Sequence, residues 1–384
     1  MKIGILTFHN ADNYGAVLQC YALQEYLKKQ FPGDEVCAVD HKNPLIEQTY
    51  KAFPFVWKKK RGFFANVLRF GYWCFLFPER KRGKKAFNDF RKNMLVLENG
   101  NLNDYDAIFY GSDQIWNRTI VGNDDVFFGA NFEGRKFAYA ASDGGELLLD
   151  ESTLENLKSF KLISCREDSL SKRLLAGGLA AQNVCDPVLL LSKDEWNHFA
   201  KNPEEKGYLL AYQMSFRPDF NDKALRLGKK LEKKVIQIYY VRSLRQFFVG
   251  GQKAISAITP QQFVGYFSNA DFVFTTSFHG TAFSILFEKP FYVLSFEKRS
   301  ERITDLLKTV GLENRFIESL PEEKTVEIYT EIIKEKIALY RKKSEDFMTL
   351  CAKNIGGGYK CIVILAFPSS SLSCCSSSSW RCAA

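Results

Sequence analysis

The stretch DFVFTTSFHGTAFSILFEKPFYVLSFEK, residues 271–298, decides the fold. Phe272 to Thr275 reads as a buried strand, Thr276 to Gly280 as a tight polar turn, and Thr281 to Phe287 as a helix. Lys289-Pro290 ends that helix, Phe291 to Ser295 starts a second strand, and the basic pair Lys298 and Arg299 follows. Strand, polar turn and helix in succession form the unit of an open parallel sheet, which binds ligands at the carboxyl ends of its strands. His279 stands at that turn. Its imidazole can exchange protons near neutral pH, although a lone histidine serves as readily to cap a helix or fill a core.

The same alternation runs outward in both directions. Lys2 to Phe8 reads as a strand, followed by the polar loop His9–Gly15 and a helix from about Ala16 to Lys29, with Asp12 or Asn13 as its cap. The glycines of a dinucleotide-binding fingerprint are missing. Asp106 to Tyr110 is a further strand. It runs into Gly111-Ser112-Asp113-Gln114-Ile115-Trp116-Asn117, a hydrogen-bonding rim suited to a polyhydroxylated ligand, with Trp116 either a stacking face or core. Leu162 to Cys165 ends at Arg166, whose guanidinium can grip a carboxylate or phosphate bidentately or pair with Glu167 or Asp168. After Asp186-Pro187 and a polar linker at Lys201–Lys206, the alternation restarts. It gives a strand Tyr208–Tyr212, a helix Asp219–Leu231, a strand Lys234–Val241 and a helix from Pro260 to Asn269. Beyond residue 298 come a helix Arg302–Val310 and a long charged helix from about Glu322 to Cys351. The chain's 384 residues suit two domains, expected at 1–190 and 191–352.

Charge is concentrated in one place. The chain carries a formal +9, and residues 51–92 hold thirteen Lys and Arg against Glu79 and Asp89, so the remainder is slightly acidic. Twelve aromatics are interleaved with those cations, which suggests a helical excursion whose rings pack on the domain or meet an anionic membrane surface. No nucleic-acid recognition motif accompanies it. Five cysteines (Cys20, Cys37, Cys74, Cys165, Cys185) stand singly among apolar neighbours without metal-ligand spacing, as expected of reduced thiols in a cytoplasmic protein with no metal site. No apolar run is long enough for a signal anchor or membrane span. Residues 353–384, rich in Cys and Ser, do not continue the pattern and read as an unstructured tail from a shifted or read-through frame.

Four blocks in order resemble the polysaccharide pyruvyl transferase family: GILTFHNADNYGAVLQ near the start, YGSDQIWN at 110–117, SCRED at 164–168 and TTSFHGTAFSILFEKPF at 275–291. DPVLLL at 186–191 and RITDLLKTVGLENR at 302–315 add to the match. The resemblance implies a GT-B-like fold, two Rossmann-type doubly wound domains facing across a cleft. The implied reaction moves the enolpyruvyl unit of phosphoenolpyruvate onto two hydroxyls of a sugar, with no cofactor beyond that donor. It implies His279 and an N-terminal loop acid, here Asp12, as catalytic residues. Arg166, Lys298, Ser277 and Gly280 would bind the donor, and Asp113, Asn117 and Asn10 the acceptor. The acceptor would be a surface or exopolysaccharide sugar or its lipid-linked precursor, met in the cytoplasm or at the inner face of its membrane. A GT-B glycosyltransferase using a nucleotide-sugar, or a glycan-binding member without turnover, are the competing readings.

Overall fold

The computed structural model describes residues 1–58, 60, 62–145, 147–214, 217–240, 250–295, 301–322 and 328–356. Two parallel sheets organise them. The first contains β1 (Lys2–Leu6), β2 (Glu35–Val39), β3 (Leu97–Glu98), β4 (Ala107–Tyr110), β5 (Arg135–Ala141), β6 (Leu162–Cys165) and β7 (Ala181–Asn183), in the order 3-2-1-4-5-6-7. The second contains β8 (Tyr208–Tyr212), β9 (Lys234–Tyr239), β10 (Gln252–Ser256), β11 (Phe272–Thr275), β12 (Phe291–Leu294) and β13 (Phe316–Ile317), in the order 10-9-8-11-12-13. Each sheet therefore reverses its direction of winding once, between β1 and β4 and between β8 and β11. Crevices for ligands open at such switch points. Strands covered on both faces need side chains that tolerate burial throughout, and β4, β8, β11 and β12 are buried at every position.

The helices fall close to where the sequence puts them, and the departures have physical causes. Helix α1 (Tyr14–Gln30) begins two residues early because Asn13, not Asp12, is the cap: its side chain accepts from the Gly15 and Ala16 amides at 2.9 and 3.5 Å. The helix after β11 spans Phe278–Leu286, so the expected polar turn is shorter and His279 lies in the first helical turn. Ser277 caps it, with its Oγ accepting from the Gly280 amide at 3.3 Å. The last helix starts at Glu331 rather than near Glu322 and runs to Ile355, taking in the first residues assigned to the tail. Residues 357–384 lie outside the described residues. Strand β10, polar at both ends, and β13, only two residues long, were not read as strands.

The excursion at 51–92 is a helix and an extended lead-in. After α2 (Pro44–Thr49), the chain runs to α3 (Phe63–Met94), whose C-terminal half packs on the first domain through Phe87 and Phe90. Its N-terminal half carries exposed apolar side chains, Phe63, Phe64 and Leu68 among them.

A single apolar core joins the two domains. Tyr14 of α1 stacks on Phe263 of the second domain at 4.4 Å between ring centroids, and its hydroxyl donates to Ile258 O at 3.1 Å. Trp196, in the connecting helix Lys193–Phe199, packs edge-on to Phe283. The last helix crosses both domains. Near its start, Ile333 and Lys336 close over Gly311 of the second domain. Further along, the Tyr340 hydroxyl donates to Val184 O at 2.8 Å and Phe347 packs on Tyr139 of the first. An apolar junction of this kind opposes the free hinge motion expected between loosely joined domains.

Ser344 tests that crossing. Its hydroxyl accepts from the buried Cys185 amide at 2.8 Å and donates to Tyr340 O at 2.9 Å. Ser344→Ala leaves that amide unsatisfied, which costs about 1–3 kcal/mol. Urea denaturation should show a loss of this size; an unchanged midpoint would mean that the last helix does not hold the first domain.

Candidate active site

Both switch points open on one cavity of 690 Å³. Ala11, Asn13 and Ala16 line it from the β1–α1 corner, Asp113 and Gln114 from the loop after β4, and Thr276 to His279 from the corner after β11. Tyr50 and Arg302 flank it, Arg302 from the helix Glu301–Val310. The sequence favours this convergence because each corner follows a buried strand with residues that hydrogen-bond to backbone or cap a helix.

Behind the cavity wall lies a buried charge cluster. Asp186, after β7, accepts from Arg166 Nη1 at 2.9 Å, from Ser112 Oγ at 3.1 Å and, through its other oxygen, from the Val188 amide at 3.0 Å. His279 Nε2 stands 3.7 Å from Asp186 Oδ2. Arg166 continues the chain of charges to Asp113 at 3.7 Å and to Glu167 at 3.8 Å, and its guanidinium lies 4.5 Å over the Phe278 ring. Burial opposes ionisation of Asp186, but His279 and Arg166 outweigh it and hold the carboxyl below its usual pKa. For His279 burial wins: it lowers the imidazole pKa against the pull of Asp186, so the ring is neutral at pH 7. Glu167 is pushed up to about 7 by burial, although Arg166, Arg302 and the Ser142 hydroxyl favour its charged form. Among the described residues, Arg166 Nε and Nη2 and His279 Nε2 are buried without a hydrogen-bond partner. Such groups are costly to leave unpaired and mark where an incoming polar atom gains most.

Glycine at two positions makes the site close. A Cβ on Gly15 would stand 2.0 Å from His279 Nδ1, so α1 approaches the imidazole with bare backbone. A Cβ on Gly280 would stand 2.4 Å from Thr275 Oγ1, so the helix starts hard against β11.

The expected site residues divide. His279, Ser277 and Asp113 line the cavity. Asp113 holds a left-handed backbone (φ 72°) that aims it there. Arg166 lies directly behind, a positioning group for Asp186 and Phe278 rather than a lining cation. Gly280 serves packing. Asp12 is a correction: its carboxylate is fully buried, 2.6 Å from Arg91 Nη2 and 3.1 Å from the Tyr240 hydroxyl, and it does not reach the cavity. A buried acid beside an arginine is satisfied there, and Asn13 faces the cavity instead. Asn117 caps the helix Arg118–Val121, accepting from the Thr119 amide at 2.9 Å, and Trp116 fills core with its Nε1 donating to Phe127 O at 3.0 Å. Asn10 borders a separate 600 Å³ cavity shared with Arg91, Lys84 and Lys92. Lys298 lies outside the described residues. Sequence reading missed Asp186 and Arg302 as site residues. With its carboxamide turned over, the orientation that satisfies both ends, Gln114 accepts from Arg302 at 2.8 and 2.9 Å. Among the described residues, Glu35, Cys37 and Glu98 are close enough to share a metal ion at the far edge of the first sheet. Burial pushes the Cys37 thiol up to about 11, which disfavours the thiolate a metal needs.

Two doubly wound domains with a polar cleft between their switch points define a GT-B-like protein. The chain belongs to the polysaccharide pyruvyl transferase family, whose sequence model matches residues 13–297. No curated protein sequence matches it. Among solved structures it is similar to a putative UDP-N-acetylglucosamine 2-epimerase from Listeria monocytogenes, with TM-score 0.50 and 10% identity over 94% of this chain and 98% of that one. A UDP-GlcNAc 2-epimerase from Neisseria meningitidis gives TM-score 0.46 and 12% identity over 92% and 100%. The E. coli heptosyltransferase WaaC gives 0.37 and 12% over 78% and 91%. At these identities the likeness is one of fold.

Glu167 gives the site a pH signature. Its pKa rises from 4.5 to about 7 in the folded chain, so between those values the folded state keeps a proton that the unfolded state has lost. Its contribution to stability is therefore full below pH 4.5 and is lost as pH rises through about 7. Glu167→Gln cannot ionise, so its stability relative to the parent should improve from pH 4.5 to pH 8. Melting curves at both pH values with a constant difference would contradict this.

Proposed function

We propose that the protein moves the enolpyruvyl unit of phosphoenolpyruvate onto two hydroxyls of a sugar, forming a pyruvate ketal on a surface or exopolysaccharide or its lipid-linked precursor. The observation that carries this reading is the meeting, at one cavity, of residues from three of the four sequence blocks that match the family, with the fourth directly behind its wall. Asn13, Asp113 and His279 line it, and Arg166 braces the Asp186 that faces His279.

The reaction protonates the vinyl methylene and makes C2 of the donor an oxocarbenium-like centre. One sugar hydroxyl bonds to C2 and gives up its proton. Cleavage of the C2–O bond to phosphate makes C2 electrophilic again, and the second hydroxyl closes the ketal. One hydroxyl proton ends in the new methyl group and the other on phosphate, with no oxidant or reductant. The chemistry calls for a base near the acceptor, cations for the donor and dipoles aimed at developing charge. A neutral His279 is suited to take a hydroxyl proton. Once the imidazolium has formed beside Asp186, it can return that proton. Arg302 and the N-terminus of the helix Phe278–Leu286 suit the phosphate and carboxylate of the donor. Asp113 can accept hydrogen bonds from sugar hydroxyls.

The test is phosphate release from phosphoenolpyruvate by the full chain, over a panel of free and lipid-linked sugars. Release should depend on acceptor and fall at least about 100-fold in His279→Ala, Asp186→Asn and Gly15→Ala, the last by displacing the imidazole. Release indifferent to these changes would contradict the assignment. Thermal protection by a nucleotide-sugar and none by phosphoenolpyruvate would favour a glycosyltransferase.

A further inference from the structure

We propose that the arm built from residues 51–58 and 62–75 docks the protein on an anionic bilayer surface. The first two turns of α3 present an exposed apolar face. Phe64 is 82% exposed and Leu68 75%, and Phe63 and Val67 are exposed beside them. Spacings of three and four residues put these side chains on one side of the helix. An apolar face so exposed marks a contact surface rather than a solvated helix.

The arm is built, not loose. The extended lead-in runs back along α3: Phe53 packs edge-on against Phe70 and Phe77, and Phe55 against Phe70. Arg80 ties its root by donating to Lys51 O at 2.9 Å and Ala52 O at 3.1 Å. At the other end Asn66 exchanges hydrogen bonds with the Lys58 backbone at 3.1 Å. The rings are thus held outward by contacts on their inner side.

Charge selects the occupant. Lys58, Lys60 and Arg69 belong to the same tip as the exposed rings. A second copy of the chain laid on this face would bring like charges together, whereas an anionic leaflet neutralises them and takes the rings at the depth of its headgroups. No described helix is long and apolar enough to cross a membrane, so the contact is interfacial. The root of the arm is also the rim of the catalytic cavity, because Thr49 and Tyr50 line that cavity and the chain passes from them into the lead-in. Docking therefore brings the cavity mouth to the bilayer, which on the pyruvyl-transfer reading favours a lipid-linked acceptor.

The experiment is flotation of the full chain with phosphatidylcholine vesicles, with and without phosphatidylglycerol. The protein should float with the anionic vesicles alone and come off in about 1 M salt, where screening shortens to about 3 Å. The Phe64→Glu/Leu68→Glu variant should bind at least about tenfold less with an unchanged melting curve, since both sites are exposed. Lys58→Glu/Lys60→Glu should lose the preference for anionic lipid. Absence of flotation, or flotation unaffected by either variant, overturns the proposal. So does a dimer in solution that Phe64→Glu/Leu68→Glu separates. Phosphate release with a free sugar is read in parallel, so failure of docking and failure of pyruvyl transfer are told apart.

Discussion

Asp186 is the constraint on which the site depends. A carboxylate taken fully out of water costs several kcal/mol unless its partners are fixed, and here they come from across the fold. Arg166 is supplied by the end of β6, Ser112 by the loop after β4, and His279 by the second domain. Arg166 and Ser112 keep the carboxylate charged from within the first domain, and only while the two domains keep this register does it face His279. The apolar junction of Tyr14, Phe263 and Trp196 and the crossing of the last helix maintain it. The site and the domain interface are one structure.

His279 then acquires its character from position. Desolvation removes its proton at neutral pH, while Asp186, 3.7 Å away, remains ready to stabilise the imidazolium once a proton arrives. Gly15 lets α1 approach close enough to fix the ring without a side chain between. A base needs a proton affinity that can rise during the reaction, and an anionic donor beside the ring would raise it.

Much of the architecture was legible because buried parallel strands write near-continuous apolar runs, and Phe272 to Thr275 or Ala107 to Tyr110 admit few other readings. Short edge strands such as β13 carry two residues of signal and were invisible. His279, Ser277 and Asp113 could be found because each follows a strand at a polar turn. Asp12 met the same criterion, yet it failed as a cavity residue because α3, 79 positions along the chain, supplies Arg91 to cover it. Asp186 and Arg302 were missed for the converse reason. Asp186 looks like a turn residue until β6 and β7 are known to be neighbours, which sets Arg166 against it. Adjacency of strands, not local pattern, decides such pairings.

The most direct test of this account is the titration of His279, followed by NMR with His279→Asn assigning its signal among the four histidines. In the free protein it should titrate below the ordinary 6.5, being neutral at pH 7. Asp186→Asn removes the charge that favours the imidazolium and should lower it further. A His279 titrating at or above 6.5, or one indifferent to Asp186→Asn, would contradict the coupling on which the site is built.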